Sequence, residues 1–141
     1  MMNLKFAFAV DNNGNFQNKH FGDAEKYIIF EHDSKNLVFT DEINNINKNI
    51  DEKTKHGSKK KGNAVIDFLK NINVNILVSR QFGKNVKMIN KHFIPVLAVN
   101  DTIDNVIKIL EKKSVQLNEE LNSKKTDFGI FRLANGMLNK T

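Results

Sequence analysis

Large apolar residues recur at every second position near the start of the chain, which is the period of a β-strand. The segment 4–10 shows this alternation, with mostly small residues on its second face, and predicts a strand that enters a core. The turn-forming residues 11–15 end it. Two further runs rich in β-branched and aromatic residues, 27–32 and 37–43, are separated only by the short turn at 33–36. They predict an antiparallel hairpin.

The middle of the chain changes to helical spacing and then alternates between strands and helices. Apolar residues three and four positions apart predict helices at 60–72, 84–92 and 102–113. Short apolar runs between these helices predict strands at 75–79 and 94–99. The predicted order of elements is therefore β-β-β-α-β-α-β-α.

This order predicts a three-layer α/β domain. Hairpin-connected strands followed by two β-α crossovers imply a five-stranded mixed sheet, antiparallel at its start and parallel later, with helices on both faces. Because ligands gather at the carboxyl ends of parallel strands, the loops after Val10, Ser79 and Val99 should share one edge. We expect the domain to span residues 1–113 and interpret 114–141 as an appended C-terminal tail, partly helical.

Composition narrows the class of protein and of site. The 141 residues include no cysteine, which excludes disulfides, thiol nucleophiles and Cys-based zinc or iron–sulfur ligation. No apolar run approaches the roughly 20 residues that span a bilayer, and the start is too short in its apolar part for a secretory signal. We therefore expect a cytoplasmic protein with no membrane partner.

The net charge is +6, which raises the question of an anionic partner such as nucleic acid, phosphate or an anionic cofactor. Only Arg80 and Arg132 among the 22 basic residues are arginines. Since phosphate and base recognition favour arginine, we favour a compositional origin of the charge over nucleic-acid binding, which stays as the alternative.

The tripeptide His20-Phe21-Gly22 lies in the polar loop after the first predicted strand. A neutral imidazole there can ligate a metal and a protonated one can hold an anion, while the glycine permits close approach of a ligand. On these three residues alone we favour an ordinary loop histidine. His32 and His92, at the ends of a predicted strand and helix, are expected to be structural histidines with satisfied hydrogen bonds.

His56-Gly57 is a second candidate, because it precedes the first predicted helix and is surrounded by lysines. The N-terminus of a helix favours negative charge. The segment is therefore either an anion-binding loop or a solvated loop in a lysine-rich protein, and the residues favour neither interpretation.

The turn after the fourth predicted strand is a third candidate. It carries Arg80 and Gly83 just before a helix, at the place where an anion would sit. It lacks the spacing of a phosphate-binding Walker motif. A plain turn with a surface arginine is an equal alternative.

Hydrolytic chemistry has little support in the sequence. A two-metal nuclease needs several converging carboxylates. Asp11 at the end of the first predicted strand is well placed for such a centre, but its plausible partners have simpler roles: Asp67 on a polar helix face, Asp101 as a helix N-cap and Asp104 in a first helical turn. No serine nucleophile elbow or dinucleotide-binding motif is present. We therefore expect a binding protein, with a minimal nuclease centred on Asp11 as a third possibility.

Three of these segments, in this order, resemble the dinitrogenase iron–molybdenum cofactor biosynthesis family. The strand and turn at 4–14 lead into His20-Phe21-Gly22, and His56-Gly57 precedes a helix. Residues 76–85 are similar to that family's strand and glycine-bearing helix start. The similarity covers about residues 3–110, and the tail has no counterpart in it.

The resemblance implies a ribonuclease-H-like fold without the nuclease's carboxylate set. It also implies a small protein, related to nitrogen fixation, that binds an iron–molybdenum cofactor or an iron–sulfur cluster precursor and passes it to a cofactor-accepting protein. Under it, His20 and His56 are the expected metal ligands. The expected cofactor contacts are His20, Phe21, Gly22, His56, Gly57, Arg80 and Gly83. A metal cluster or anionic small ligand is thus the expected partner, and a nucleic-acid-binding module of the same fold is the alternative.

Overall fold

A computed structural model describes residues 3–49, 57–123 and 126–141 of the chain. Its strands and helices are, in chain order, β1 (Lys5–Val10), β2 (Lys26–His32), β3 (Leu37–Asn44), α1 (Gly57–Asn71), β4 (Ile76–Ser79), α2 (Val86–Ile89), β5 (Ile94–Ala98), α3 (Ile103–Lys112), α4 (Ser114–Asn122), β6 (Phe131–Ala134) and β7 (Met137–Lys140). Short 3₁₀ turns at Phe21–Asp23 and Gly83–Asn85 precede β2 and α2.

The strands form one mixed sheet, as the order of elements predicted. β1 pairs antiparallel with β2 and parallel with β4, and β2 pairs antiparallel with β3. The parallel pairing continues through β5 to β6, and β7 returns antiparallel. The prediction of five strands was wrong, because the sheet in the described part of the chain has seven, in the order β3-β2-β1-β4-β5-β6-β7.

The two extra strands come from residues 131–140, which the sequence reading left outside the sheet. Asn135 and Gly136 both adopt positive φ, 54° and 75°, which is the geometry of a two-residue hairpin turn of type I′. The strands on either side are only four residues long, so their alternation is too short to predict them. The Asn-Gly pair was the signal that could have done so.

The helices cover both faces of the sheet, as predicted. On one face, side chains of β1 and β4 such as Ala7 and Leu77 pack against Leu69 of α1 and Ile89 of α2. On the other face, Phe8 and its neighbours pack against α3 and α4. The alternation of β1 thus separates small residues under α1 from phenylalanines under α3 and α4, and two apolar cores result.

Residues after α3 pack on this domain. Leu117, Phe128, Phe131, Leu133 and Leu138 are buried in the same core as α3. The side-chain amide of Asn90, at the end of α2, donates to the Phe128 carbonyl at 3.1 Å, and the Phe128 N–H donates to the Asn90 carbonyl at 2.8 Å. The apolar groups of the predicted tail therefore dock against the sheet.

Smaller differences concern helix ends. The helix predicted at 84–92 is a 3₁₀ turn followed by the single turn of α2. The N-cap of α3 is Thr102, whose hydroxyl accepts from the Asn105 N–H at 3.3 Å, rather than Asp101. Asp101 supports that turn by accepting from the Thr102 N–H at 2.9 Å. No helix among the described residues combines the length and the apolar character needed to cross a bilayer.

Candidate functional site

Three loops meet where the parallel strands β1, β4 and β5 end. The Phe21 N–H, in the loop after β1, donates to the Gln81 carbonyl after β4 at 2.8 Å. The Arg80 guanidinium donates to the Asp101 carbonyl, after β5, at 3.1 Å. The prediction that these loops share one edge of the sheet is therefore confirmed.

His20 and Gly83, one on each of the first two loops, lie side by side. Gly83 has φ of +70°, and a β-carbon placed on it would lie 2.5 Å from His20 Nδ1 and 2.7 Å from Cε1. That separation is far shorter than a van der Waals contact, so the imidazole occupies space that any other residue at 83 would fill. His20 itself is exposed, which leaves the rest of its ring accessible.

Aromatic packing holds the segment that follows His20. Phe21 is buried and stacks on Tyr27 and on Phe82, with ring centroids 4.8 Å and 5.7 Å apart. The Tyr27 hydroxyl donates to the Phe21 carbonyl at 2.9 Å. Burial, with a smaller contribution from the Asp23 carboxylate, raises the pKa of the Tyr27 phenol far above its usual value. The phenol is therefore a permanent donor at neutral pH.

Asn45, just after β3, secures the same segment from the other side. Its buried amide donates to the carbonyls of Gly22 and Ala24, each at 2.9 Å. These two carbonyls lie in or next to the 3₁₀ turn at Phe21–Asp23, and the Asn45 amide supplies a donor to each. The predicted site residues Phe21 and Gly22 thus shape the loop, and their partners fix where His20 stands.

A pocket of about 260 Å³ opens beside His20. Val65 of α1, Phe82 and Ile89 of α2 form its apolar surface. Gly22 and Gly62 also line it. Its volume lies just below the roughly 300–1,000 Å³ that is usual for small-molecule sites, and its mostly apolar lining with few polar groups is of the usual kind.

The charged side chains of the pocket are Asp23, Lys61 and Lys84. Lys61 is only 3% exposed and its ammonium forms an ion pair with Asp23. It also donates to the Lys48 carbonyl at 3.2 Å. Lys84 is exposed beside the pocket, so the lining carries two positive charges and one negative charge before His20 is counted.

Arg80 does not join this pocket. Its guanidinium lies 5.7 Å from the centroid of the Phe16 ring, and Phe16 belongs to the core beneath α3 and α4. The pocket instead adjoins the opposite core, because Phe82 and Val65 pack there. Of the expected cofactor contacts, Arg80 therefore lies outside the His20 pocket, since residues 80 and 82 turn their side chains to opposite faces.

His56, the second predicted ligand, lies outside the described residues, so the structure does not place it relative to His20. Gly57 is the first residue of α1. Gly83 is the remaining predicted contact, and it lies against His20 as described.

The other histidines and carboxylates considered from sequence do not form a second centre. Asp11 accepts from the Asn13 and Asn15 N–H groups at 2.8 and 3.0 Å and so shapes its own turn. The buried Nε2 of His32 has no hydrogen-bond partner among the described residues, contrary to the satisfied structural role expected for it. Across 3–49, 57–123 and 126–141, no three His, Asp or Glu side chains converge on a metal-ion site.

The sequence analysis did not predict four residues of the site, namely Asp23, Asn45, Lys61 and Lys84. Asp23 directly follows the His-Phe-Gly segment, and Lys61 is one of several lysines in a polar stretch. A helical periodicity that places Lys61 four residues before the buried Val65 was the available signal, because residues four apart lie on one helix face.

Comparison with known proteins agrees with the similarity seen in the motifs. No curated protein matches the sequence with significance. A family model described as dinitrogenase iron-molybdenum cofactor matches residues 2–113. The match spans β1 to α3 and includes His20, Lys61 and Gly83 of the pocket. The chain therefore belongs to the dinitrogenase iron-molybdenum cofactor family.

Proposed function

We propose that this protein binds an iron–molybdenum or iron–sulfur type cofactor, or a precursor of one, at the His20 pocket and releases it to an accepting protein. In this role it is a carrier and not an enzyme. The cargo is a preassembled anionic cluster that brings its own sulfides. One imidazole and nearby ammonium groups then suffice to hold it.

One observation carries this proposal: His20 packs against Gly83 beside a pocket that is also lined by Lys61 and Lys84. The glycine lets the imidazole take a defined position although it is exposed. The two ammonium groups supply positive charge toward an anion. The apolar surface of Val65, Phe82 and Ile89 lowers the local dielectric, which strengthens both interactions.

The donor set suits transient holding. A cysteine-free chain offers a cluster no thiolate ligands, so the cargo is held by fewer and more labile contacts than in a permanent iron–sulfur protein. His56 stays a candidate second ligand in this proposal. The order β3-β2-β1-β4-β5 of the first five strands supports a ribonuclease-H-like assignment of the domain, and we propose a cytoplasmic location for the carrier.

Anaerobic titration of the purified protein tests the proposal. The probes are tetrathiomolybdate, as a soluble anionic molybdenum sulfide, and a synthetic four-iron, four-sulfide cluster. Binding is followed by absorption and electron paramagnetic resonance spectra, and bound metal is measured after gel filtration. His20→Ala is expected to weaken cluster binding at least tenfold, about 1.4 kcal/mol, whereas His92→Ala, outside the pocket lining, should not.

Two results would contradict the proposal. The first is that neither probe stays with the protein. The second is that binding is unchanged in a His20→Ala, His56→Ala double variant. If the protein instead binds nucleic acid, its affinity for an oligonucleotide should fall steeply with salt and with the replacement of lysines. Replacement of either histidine should then have little effect.

A further inference from the structure

Lys61 is an uncommon element in the wall of this pocket, because it is a charged side chain removed almost entirely from water. Its side chain is 4% exposed, against 35% for that of its partner Asp23. The aliphatic stem passes Gly22, where an added β-carbon would lie 3.8 Å from Lys61 Cε. The ammonium therefore reaches the pocket from inside the domain, whereas Asp23 meets it from the solvent side.

An ammonium in such a place needs a counter-charge. Burying an unpaired charge costs several kcal/mol, on the order of the whole cost of breaking a buried ion pair. Asp23 supplies the negative charge, and the Lys48 carbonyl at 3.2 Å supplies one further acceptor. Both Asp23 and Lys61 line the same pocket as His20, so an anion that enters it arrives beside an ammonium already occupied by a carboxylate.

We propose that Asp23 is a resident counter-ion that an anionic ligand displaces from Lys61, and that it thereby sets the affinity of the pocket. This rests on the proposed function, since it concerns the same pocket and an anionic cargo. In the empty protein Asp23 holds the Lys61 ammonium in place. On binding, the ligand takes over the ammonium, and the Asp23 carboxylate turns fully to water, where an ion is well solvated.

The consequence is a pocket that favours anions over neutral ligands and can still release a bound anion. A neutral ligand gains nothing by separating Asp23 from Lys61, so it is disfavoured relative to an anion. An anion gains the ammonium but must also overcome the Asp23 carboxylate, which limits its affinity. A carrier that has to deliver its cargo requires such a limit, because an unopposed buried ammonium would hold the anion tightly.

Asp23→Asn is the decisive change, because asparagine keeps the size and an acceptor oxygen while removing the charge. We expect tetrathiomolybdate to bind this variant at least about tenfold more tightly than wild type, or about 1.4 kcal/mol. Asp67→Asn is the matched control: Asp67 is an exposed residue on α1 outside the pocket lining. It removes the same charge, and its gain should be small and abolished by salt.

A double-mutant cycle with Lys61→Met locates the effect. The gain from Asp23→Asn should shrink to that of Asp67→Asn when Lys61 is absent, because the carboxylate then has no ammonium to compete for. Thermal melts of each variant show whether it is folded. If Asp23→Asn does not fold, the carboxyl carbon of Asp23 in the labelled wild-type protein provides the test, since its NMR signal should shift on binding.

The outcomes separate the two proposals. Failure of wild type to bind either metal–sulfur probe would overturn the proposed function and this inference with it. Binding by wild type with equal affinities for Asp23→Asn and Asp67→Asn would overturn the counter-ion role alone. A weaker Asp23→Asn complex, or an unmoved Asp23 signal at saturation, would do the same.

Discussion

The imidazole of His20 lies so close to Gly83 that a β-carbon at position 83 would be 2.5 Å from its Nδ1. The two residues stand on separate loops, after β1 and after β4, which are joined by the hydrogen bond from the Phe21 N–H to the Gln81 carbonyl. Gly83 is therefore needed for two reasons, its positive φ and its lack of a side chain. Only the second reason concerns the site.

A comparison of Gly83→Ala with Gly136→Ala should distinguish the effect of the positive φ from the effect of the missing side chain. Both glycines have similar positive φ, +70° and +75°, but a β-carbon at 136 meets no atom within 4 Å. Each alanine should destabilise the fold by roughly 1–2 kcal/mol because of the left-handed backbone. Only Gly83→Ala should also displace His20 and reduce cluster affinity, about as much as His20→Ala does. Denaturant unfolding and the anaerobic titration measure the two effects, and equal affinities in both alanine variants would contradict the role given to His20.

Tyr27→Phe should destabilise the loop that carries His20. The variant removes the donor that the Phe21 carbonyl now has at 2.9 Å and leaves it the Ala24 N–H at 3.4 Å, which costs about 0.5–1.5 kcal/mol of unfolding free energy. The pH dependence has a defined sign. Because the pKa of Tyr27 is raised in the folded state, the unfolded chain loses its phenolic proton first, at about pH 10, and stability falls as the pH rises beyond that value.

Urea unfolding of wild type and Tyr27→Phe between pH 7 and 11 checks this expectation. The difference between the two proteins should be largest at neutral pH and should narrow above about pH 10, where the unfolded wild-type phenol ionises. Tyr27 is the only tyrosine in the chain, so this part of the alkaline response belongs to one residue. A difference that stays constant across the range would mean that the phenol is not held as described.

Arg80→Ala should affect stability and not cargo binding. Its guanidinium joins the loop after β4 to the Asp101 carbonyl and lies over Phe16, away from the pocket. We expect a loss of about 1–3 kcal/mol in unfolding free energy, with tetrathiomolybdate affinity within about twofold of wild type after correction for charge screening. Arg132→Ala is the control, because Arg132 is the other arginine and is exposed on β6. A large fall in affinity for Arg80→Ala but not for Arg132→Ala would contradict this prediction and show that Arg80 takes part in binding.

Glu120→Gln should weaken the attachment of the last two strands. The carboxylate of Glu120 on α4 accepts from the Gly129 N–H at 2.8 Å and from Lys140 at 2.7 Å. Burial opposes its ionisation, but the hydrogen bonds from Lys140 and Gly129 and the charge of Lys140 lower the pKa of Glu120 below its usual value. Glutamine should therefore cost about 1–2 kcal/mol at pH 7.

The pH dependence of that loss follows from the lowered pKa. Its contribution is present above the unfolded value of about 4.3 and disappears as the pH falls through the folded value, where the carboxylate takes up a proton. Unfolding of wild type and Glu120→Gln at pH 7 and pH 3 should show the difference at pH 7 and little at pH 3. Glu119→Gln, an exposed neighbour on the same helix, should show neither.

Much of the architecture follows from local patterns. The alternation of 4–10 places phenylalanines and alanines on opposite faces of β1, and those faces meet different helices. Helical spacing likewise placed α1 and α3 within a few residues of their observed bounds. Such patterns predict structure because the polarity of each residue indicates whether that position is buried. The hairpin at 131–140 lacked this signal, since four-residue strands carry too few alternations.

Local patterns in the sequence were enough to predict the order of the elements from β1 to α3 and the edge of the sheet where the loops meet. Which side chains share the pocket depends on the three-dimensional packing of the chain. Arg80 lies two residues from Phe82 yet faces the other core, and Lys61, one lysine among many in the sequence, is buried against Asp23. Periodicity encodes whether a residue is buried, but the identity of its partner depends on chain segments brought together from far apart, which no local pattern records.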